Sequence, residues 1–264
     1  MTYHLSATKL QAYQRCPFAY YLKYECKLNA NDFFGSAALG IALHQALAQI
    51  HRDWHYQNPI PDLQWIHYCW EQQSQGLSLG QIEEGKGILE KYYYRFIAEE
   101  VSLTKPLGVE GRIQGSLRVD NLEFLITGRY DRLNYVGKGL ELIDYKSTRE
   151  VRLPNPEEID LQIGLYYLAL EQTYHQSLRS LSLIFLRTTE KFSFKAGPEH
   201  KRKVQQIISN LAVKLRDDEN WQPTPGSQCQ RCTYARYCPA VTEQPIPLPT
   251  GLPDRKLQLS LALN

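Results

Sequence analysis

Residues 122–147 read LEFLITGRYDRLNYVGKGLELIDYKS, and the way this stretch folds decides the architecture. Two apolar-rich runs, Leu122 to Thr127 and Leu140 to Tyr145, flank a Gly-containing connection, a pattern that predicts neighbouring antiparallel strands. Each run delivers a carboxylate where its apolar character ends, Asp131 from the first and Asp144 from the second, and Lys146 follows Asp144 by two residues. The strand period of two puts Asp144 and Lys146 on one face of the sheet. Two carboxylates and an ammonium brought together can hold a hard divalent cation through oxygen, place or deprotonate a water, and offset charge that develops on a phosphate. A hairpin bearing a surface ion pair uses the same residues, so the rest of the chain has to decide between the two.

With 264 residues and 43% hydrophobic content, the chain can bury a sizeable core as one large domain or as one with an attached subdomain. No run approaches the roughly 20 apolar residues that cross a bilayer. The opening MTYHLSATKLQAYQRCPF lacks the apolar core and cleavage pattern of a secretory signal, so a cytoplasmic location without a membrane partner is expected. The formal charge of +2 does not by itself imply a nucleic-acid partner, but Leu186 to Arg216 carries eight basic against two acidic side chains, a local +6. Such a strip can bind phosphates. A solvated helix face contains the same residues, and both readings stay open.

Along the chain, Ser6 to Tyr24 reads as a helix that Pro17 breaks in two, with a possible Ser6 N-cap and Cys16 at the break. Gly35 to Tyr56 reads as a strong helix carrying His44 within its apolar pattern, either as a core histidine or as a ligand. A short helix around Leu63 to Gln73 and a longer one over Ile82 to Leu103 follow, the latter with Tyr92, Tyr93, Tyr94 and Phe96 as packing against the sheet. Leu107 to Val119 predicts a third antiparallel strand whose Glu110 is either a further acid at the same site or an exposed strand residue. Glu157 to Tyr174 is a helix buried through Leu161, Leu165, Leu168 and Ala169, with Gln162 and Tyr166 one turn apart on one face. Leu181 to Arg187 is a central strand, Phe192 and Phe194 mark an edge strand, and Glu199 to Glu219 is a helix.

Six cysteines in a reducing compartment do not normally build a disulfide scaffold. Cys229, Cys232 and Cys238 are spaced C-x2-C-x5-C in a stretch with little apolar matter to bury, which favours a metal or cluster. A fourth thiolate would complete a four-iron cluster or a tetrahedral zinc site, and Cys16 is the candidate. Ligand count leaves zinc and iron-sulfur both open, and Cys26 and Cys69 read as ordinary buried thiols.

Together these elements resemble the RecB-like branch of the PD-(D/E)xK nuclease superfamily, in particular its members with an iron-sulfur cluster. Those include the CRISPR-associated single-strand exonucleases and the nuclease domains of helicase-nuclease complexes. The resemblance spans roughly Leu5 to Pro239. Gly40-Ile-Ala-Leu-His44 is similar to the family's G-x3-H element and Gly128-Arg-Tyr-Asp131-Arg132 to G-x2-D-R. Asp144-Tyr-Lys146 is similar to (D/E)-x-K, and Gln162-Ile-Gly-Leu-Tyr166 to Q-x3-Y. The split cysteine set matches as well, while Tyr130 stands where the superfamily name places proline.

The resemblance implies an α/β, restriction-endonuclease-like core over residues 1–240, with a mixed central sheet flanked by helices. It implies a 4Fe-4S subdomain held by Cys16, Cys229, Cys232 and Cys238 and built from about residues 1–30 and 221–240, and it leaves 241–264 as a Pro-rich tail. His44, Asp131 and Asp144 would bind Mg or Mn with the backbone carbonyl of Tyr145, Lys146 would orient or activate water, and Gln162 and Tyr166 would steady the DNA strand or Lys146. The implied activity is metal-dependent exonucleolytic hydrolysis of DNA at single-stranded ends, with protein partners in CRISPR adaptation. One alternative is a nuclease component of a repair or recombination helicase-nuclease complex, and the other is an inactive nucleic-acid-binding assembly module.

Overall fold

The quoted stretch becomes two strands of a six-stranded mixed sheet in the computed structural model, which describes residues 2–28, 37–217 and 220–249. Strands β3 (Leu122–Val136) and β4 (Gly139–Lys146) are antiparallel neighbours joined at Gly137-Lys138, where Gly137 takes φ +56° as a tight hairpin requires. Their pairing runs only from Arg132–Ile143 to Val136–Gly139. The run Leu122–Thr127 pairs elsewhere: with β2 (Gly108–Val119), antiparallel, along one edge, and with β1 (Thr2–Leu5), parallel, along the other. Asp131 therefore lies inside one long strand, not at the end of a short one. Polar residues such as Arg129, Asp131 and Asn134 break the apolar alternation there and hide the strand's continuity.

The sheet continues through β5 (Leu178–Phe185), parallel to β4, to the edge strand β6 (Glu190–Lys195), antiparallel to β5. Leu181 and Leu183 of β5 enter one core and Ile184 the other, which is why that run is apolar without alternation. On one face lie α6 (Pro156–Tyr174) and α7 (Pro198–Asp217); on the other lie α3 (Ala37–Asp53), α4 (Leu63–Gln73) and α5 (Leu79–Phe96). Strand β4 serves both, with Leu140 and Leu142 towards α6 and Ile143 and Tyr145 towards α3.

Local signals set the helix ends. Ser6 caps α1 (Ala7–Arg15) by accepting from the Lys9 N–H, and Pro17 opens a separate short α2 (Pro17–Tyr20), leaving Cys16 in extended backbone between them. A capping box of Ser78 and Gln81 starts α5 three residues before the expected Ile82, and the helix stops at Phe96, short of Leu103. Asn155, Glu158 and Pro156 start α6, whose Leu161, Leu165, Leu168 and Ala169 are buried as expected.

Four of the eight cations of the basic strip are compensated: Arg187 pairs with Glu84, Lys191 with Glu141, Lys201 with Glu171 and Lys203 with Asp160. These four cations are paired with acids from other elements of the fold. Of the Pro-rich tail, residues up to 249 are described and the Ile246 N–H donates to the Arg236 carbonyl; residues 250–264, with Pro253, lie outside the described residues, as do Gly35 and Glu219. Among the described residues no helix is long and apolar enough to cross a membrane.

Gly164 marks a close approach of α6 to α7: a Cβ there would meet the His200 carbonyl oxygen and lie 2.9 Å from the Val204 side chain. Backbone cannot yield as a side-chain tip does. Gly164→Ala is expected to push α7 off α6 and lower stability by about 1–3 kcal/mol, read from urea unfolding.

Candidate active site

The site forms where the sheet opens. One edge of β3 is occupied by β1 as far as Ile126 and by β4 from Arg132 onward, so residues 127–131 between them face no strand on that edge among the described residues. Side chains fill the interval. Thr127 Oγ1 donates to the Leu5 carbonyl at 3.3 Å and the Tyr166 hydroxyl donates to the Arg129 carbonyl at 2.7 Å. Asp131 Oδ2 accepts the backbone N–H of Tyr145 at 2.6 Å, standing in for the main-chain acceptor that β4 loses as it departs.

Register then lines up three acids. The Val109–Arg132 and Gly111–Tyr130 pairs bracket Glu110 and Asp131, and one step beyond the Arg132–Ile143 pair lies Asp144. Glu110, Asp131 and Asp144 thus form a row across three adjacent strands. Glu110 takes φ +47°, a left-handed conformation that is costly for a residue of its size. Gly108 and Gly111 flank it because the buried Tyr130 ring lies over β2, where any Cβ would collide with it. Gly40 permits a similar approach: a Cβ there would sit 2.8 Å from Ser147 Oγ, so α3 comes close to the end of β4 and, one turn later, aims His44 at the row.

His44 Nδ1 stands 3.2 Å from Asp131 Oδ1 and 3.7 Å from Glu110 Oε1. His44, Glu110 and Asp131 each place a ligand atom within 4.8 Å of the others, one nitrogen and two oxygens, a donor set that fits a divalent cation of the Mg or Mn kind. Asp144 stands beside this group, accepting from Lys146 Nζ at 2.8 Å and from Gln162 Nε2 at 3.3 Å. Burial pulls the His44 imidazole down, but the hydrogen bond and charge of Asp131, with the charges of Glu110 and Asp144, outweigh it and hold its pKa above the ordinary value. Burial likewise raises the Asp144 carboxyl, with the Asp131 charge adding and Lys146 opposing.

The structure therefore brings His44, Asp131, Asp144, Lys146 and Gln162 to one place. Gln162 holds Asp144 rather than Lys146, and the Tyr166 hydroxyl is taken by the Arg129 carbonyl. The Tyr145 side chain turns into the core against Tyr92 while its N–H serves Asp131. Glu110, left open between two roles by the sequence, belongs to the site, and Arg129 joins it through an ion pair with Glu110 at 3.0 Å. The signal for Glu110 was its pair of flanking glycines, since Gly inside a strand marks a close backbone approach.

The sequence profile of the PD-(D/E)XK nuclease superfamily matches residues 4–239. The chain belongs to that superfamily. It is also similar to the CRISPR-associated exonuclease Cas4 of Aeropyrum pernix, with 26% identity over 172 residues, 62% of this chain and 77% of that relative. A solved structure, SSO0001, covers 90% of this chain and 87% of its own at 14% identity, with a TM-score of 0.43, a likeness too loose to carry an argument. The α/β fold with a mixed sheet and flanking helices, together with the His44, Glu110 and Asp131 group, makes the chain a nuclease-type enzyme with a divalent-metal site.

This nuclease also gathers its split cysteines. Cys16, Cys229, Cys232 and Cys238 line one cavity of about 210 Å³. Burial raises the Cys232 thiol, the Tyr234 backbone opposes, and the nearby sulfurs of Cys16, Cys229 and Cys238 add to the rise. Among the described residues the four sulfurs do not draw within 4.8 Å of one another. Cys26 is buried in the small core of Leu22, Tyr234 and Tyr237 that Cys232 packs against, and Cys69 is buried in the α3 layer, where burial pushes its thiol up to about 12, as expected of an inert thiol.

In the metal-free protein, His44 and Asp144 both bind protons more tightly folded than unfolded. Each therefore contributes stability that is present below its unfolded pKa, 6.5 for the histidine, and is lost as pH rises through its raised folded value. A cation at the site reverses this loss. The gain in melting temperature on adding Mn to chelator-treated protein should be larger at about pH 8 than at about pH 6, and the difference should shrink in His44→Ala.

Proposed function

We propose that this nuclease is a divalent-metal-dependent DNA exonuclease acting at single-stranded ends, and that it serves CRISPR adaptation. The observation that carries the catalytic reading is the state of Asp131: one oxygen is locked by the Tyr145 N–H while the other faces His44, beside a lysine-bound Asp144. An oxygen fixed in this way is ready to coordinate without losing further side-chain freedom. The exonuclease activity and the CRISPR setting are supported by the name of the Aeropyrum pernix relative.

In this reading His44, Asp131 and Asp144 would hold Mg or Mn together with the Tyr145 carbonyl, and Glu110 would add a further oxygen. Such an ion supplies Lewis acidity to the scissile phosphate and acidifies the attacking water. Lys146, tethered to Asp144, orients that water through Nζ and offsets the charge that grows on the phosphate oxygens. Gln162 fixes Asp144, and Tyr166 keeps β3 from closing the gap.

The four cysteines are proposed to hold a 4Fe-4S cluster with a structural role, in a subdomain formed by the two ends of the described chain. A single tetrahedral zinc with bonds of about 2.3 Å draws its sulfurs to about 3.8 Å of one another. A four-iron cluster offers each thiolate its own iron and so accepts sulfurs that do not gather within 4.8 Å of one another.

End-labelled single and double strands incubated with Mn test the activity. Cleavage of the single strand should stop with chelator and fall at least about 100-fold in Lys146→Ala, with DNA binding retained. Equal cleavage by both proteins would remove Lys146 from the mechanism. Cys232→Ser should lose iron and sulfide and melt at a lower temperature, because the ligand ties the chain ends together; an unchanged melting curve with full activity speaks against the cluster.

A further inference from the structure

The gap in the sheet does more than free Asp131. Between the start of α1 and the unpaired interval of β3 lies a cavity of about 240 Å³, separate from the one the cysteines line. Its floor is apolar, from Ile113, Ile126 and Leu165, and Thr8, Thr127 and Arg129 stand around it. Tyr166 belongs to the same wall, and its hydroxyl bond to the Arg129 carbonyl fixes that wall against β3. Arg129 is shared between cavity and metal group, since its guanidinium pairs with Glu110 Oε2. With its side chain 65% exposed and five N–H donors in a planar fork, one ion pair leaves it able to grip a phosphate as well.

We infer that this cavity is the seat of the single nucleotide unit adjoining the scissile phosphate, with Arg129 holding the phosphate at its mouth. The inference rests on the nuclease reading and adds to it a subsite and the form of DNA that enters. Chemistry and size favour a nucleotide: the apolar floor accepts the face of a sugar or base, the hydroxyls meet its polar edge, and the guanidinium meets the anion. The volume falls below the roughly 300–1,000 Å³ of pockets for drug-sized ligands, which suits one unit and excludes a run of them. A base inside a duplex cannot enter without leaving its stack, at a cost of a few kcal/mol, so the pocket selects unpaired ends on its own. Seating one unit beside the metal row also fixes the distance from the occupied pocket to the cut, which makes the products short and uniform.

The test uses the full-length protein and the dinucleotide TpT, in Ca to allow binding and in Mn to allow cleavage. Thr8→Trp is placed on the exposed first turn of α1, where it can fill the cavity from its rim without entering the core. Both Thr8→Trp and Arg129→Ala should weaken TpT binding at least tenfold at unchanged melting temperature, and Thr8→Trp should raise the KM for oligothymidylate by a similar factor with a smaller change in kcat. Wild-type affinity in Thr8→Trp, or failure of the wild type to bind TpT, overturns the pocket. Cleavage by the wild type with TpT binding indifferent to Thr8→Trp removes the pocket and leaves the nuclease standing. TpT binding that both variants lose, in a protein that cuts nothing in Mn, keeps the pocket and removes the nuclease.

Discussion

The bond from the Tyr145 N–H to the Asp131 carboxylate is the constraint on which the rest of the site depends. Where β4 peels away from β3, a buried N–H would be orphaned, and an aspartate on the departing strand's neighbour satisfies it. A hydrogen bond to a charged acceptor contributes about 1.5–3 kcal/mol, and an unmet buried donor costs a comparable amount. The opening and the acid are therefore one device: without Asp131 the strands have reason to zip together, and without the opening Asp131 has no edge to work at. The same divergence exposes the Arg129 carbonyl, which Tyr166 takes up from α6.

Two helix layers converge on that opening from opposite faces of the sheet. Helix α3 delivers His44 because Gly40 lets it settle against Ser147, and α6 delivers Gln162 to Asp144. Behind the row, Arg132 follows Asp131 directly and reaches back into the α3 layer, where its guanidinium bonds His51 at 2.5 Å and the Tyr92 hydroxyl at 3.1 Å. Burial and the Arg132 charge hold His51 well below its ordinary pKa, so the imidazole is neutral and able to accept. Tyr92 in turn bonds the Tyr145 hydroxyl, so the residue whose N–H serves Asp131 is fixed at both its backbone and its ring. That chain of contacts ties the metal row to the packed interior rather than to mobile surface.

Much of this was legible in the sequence because it rests on local chemistry. Pro17 and Ser6 announce the divided first helix, the unbroken apolar run at Leu181 announces an interior strand, and the spacing of Asp144 and Lys146 follows from strand period alone. What stayed hidden depends on pairing between distant segments. The length of β3 could not be read where its residues serve the site instead of the core, and Glu110 joined the site through a register and a positive φ of which the flanking Gly108 and Gly111 are the only trace in the sequence. The pairing of the basic strip was hidden for the same reason, since its partners Glu84, Glu141, Asp160 and Glu171 come from other elements.

Helix α1 links the two cavities that the fold leaves open. Its first turn, at Ser6 to Thr8, stands on the rim of the gap beside Tyr166, and its last turn delivers Cys16 to the cavity lined by Cys229, Cys232 and Cys238. Nine residues of helix form a rod about 13 Å long, and a rod held at one end fixes the direction of the other. Arg15 bonds Glu158 and the Gln11 side chain reaches the Glu158 carbonyl, both at the start of α6, so α1 is braced along its length by the helix that carries Gln162 and Tyr166. The cysteine end of the molecule and the far wall of the gap are therefore joined by one braced helix that does not touch the carboxylates of the metal row.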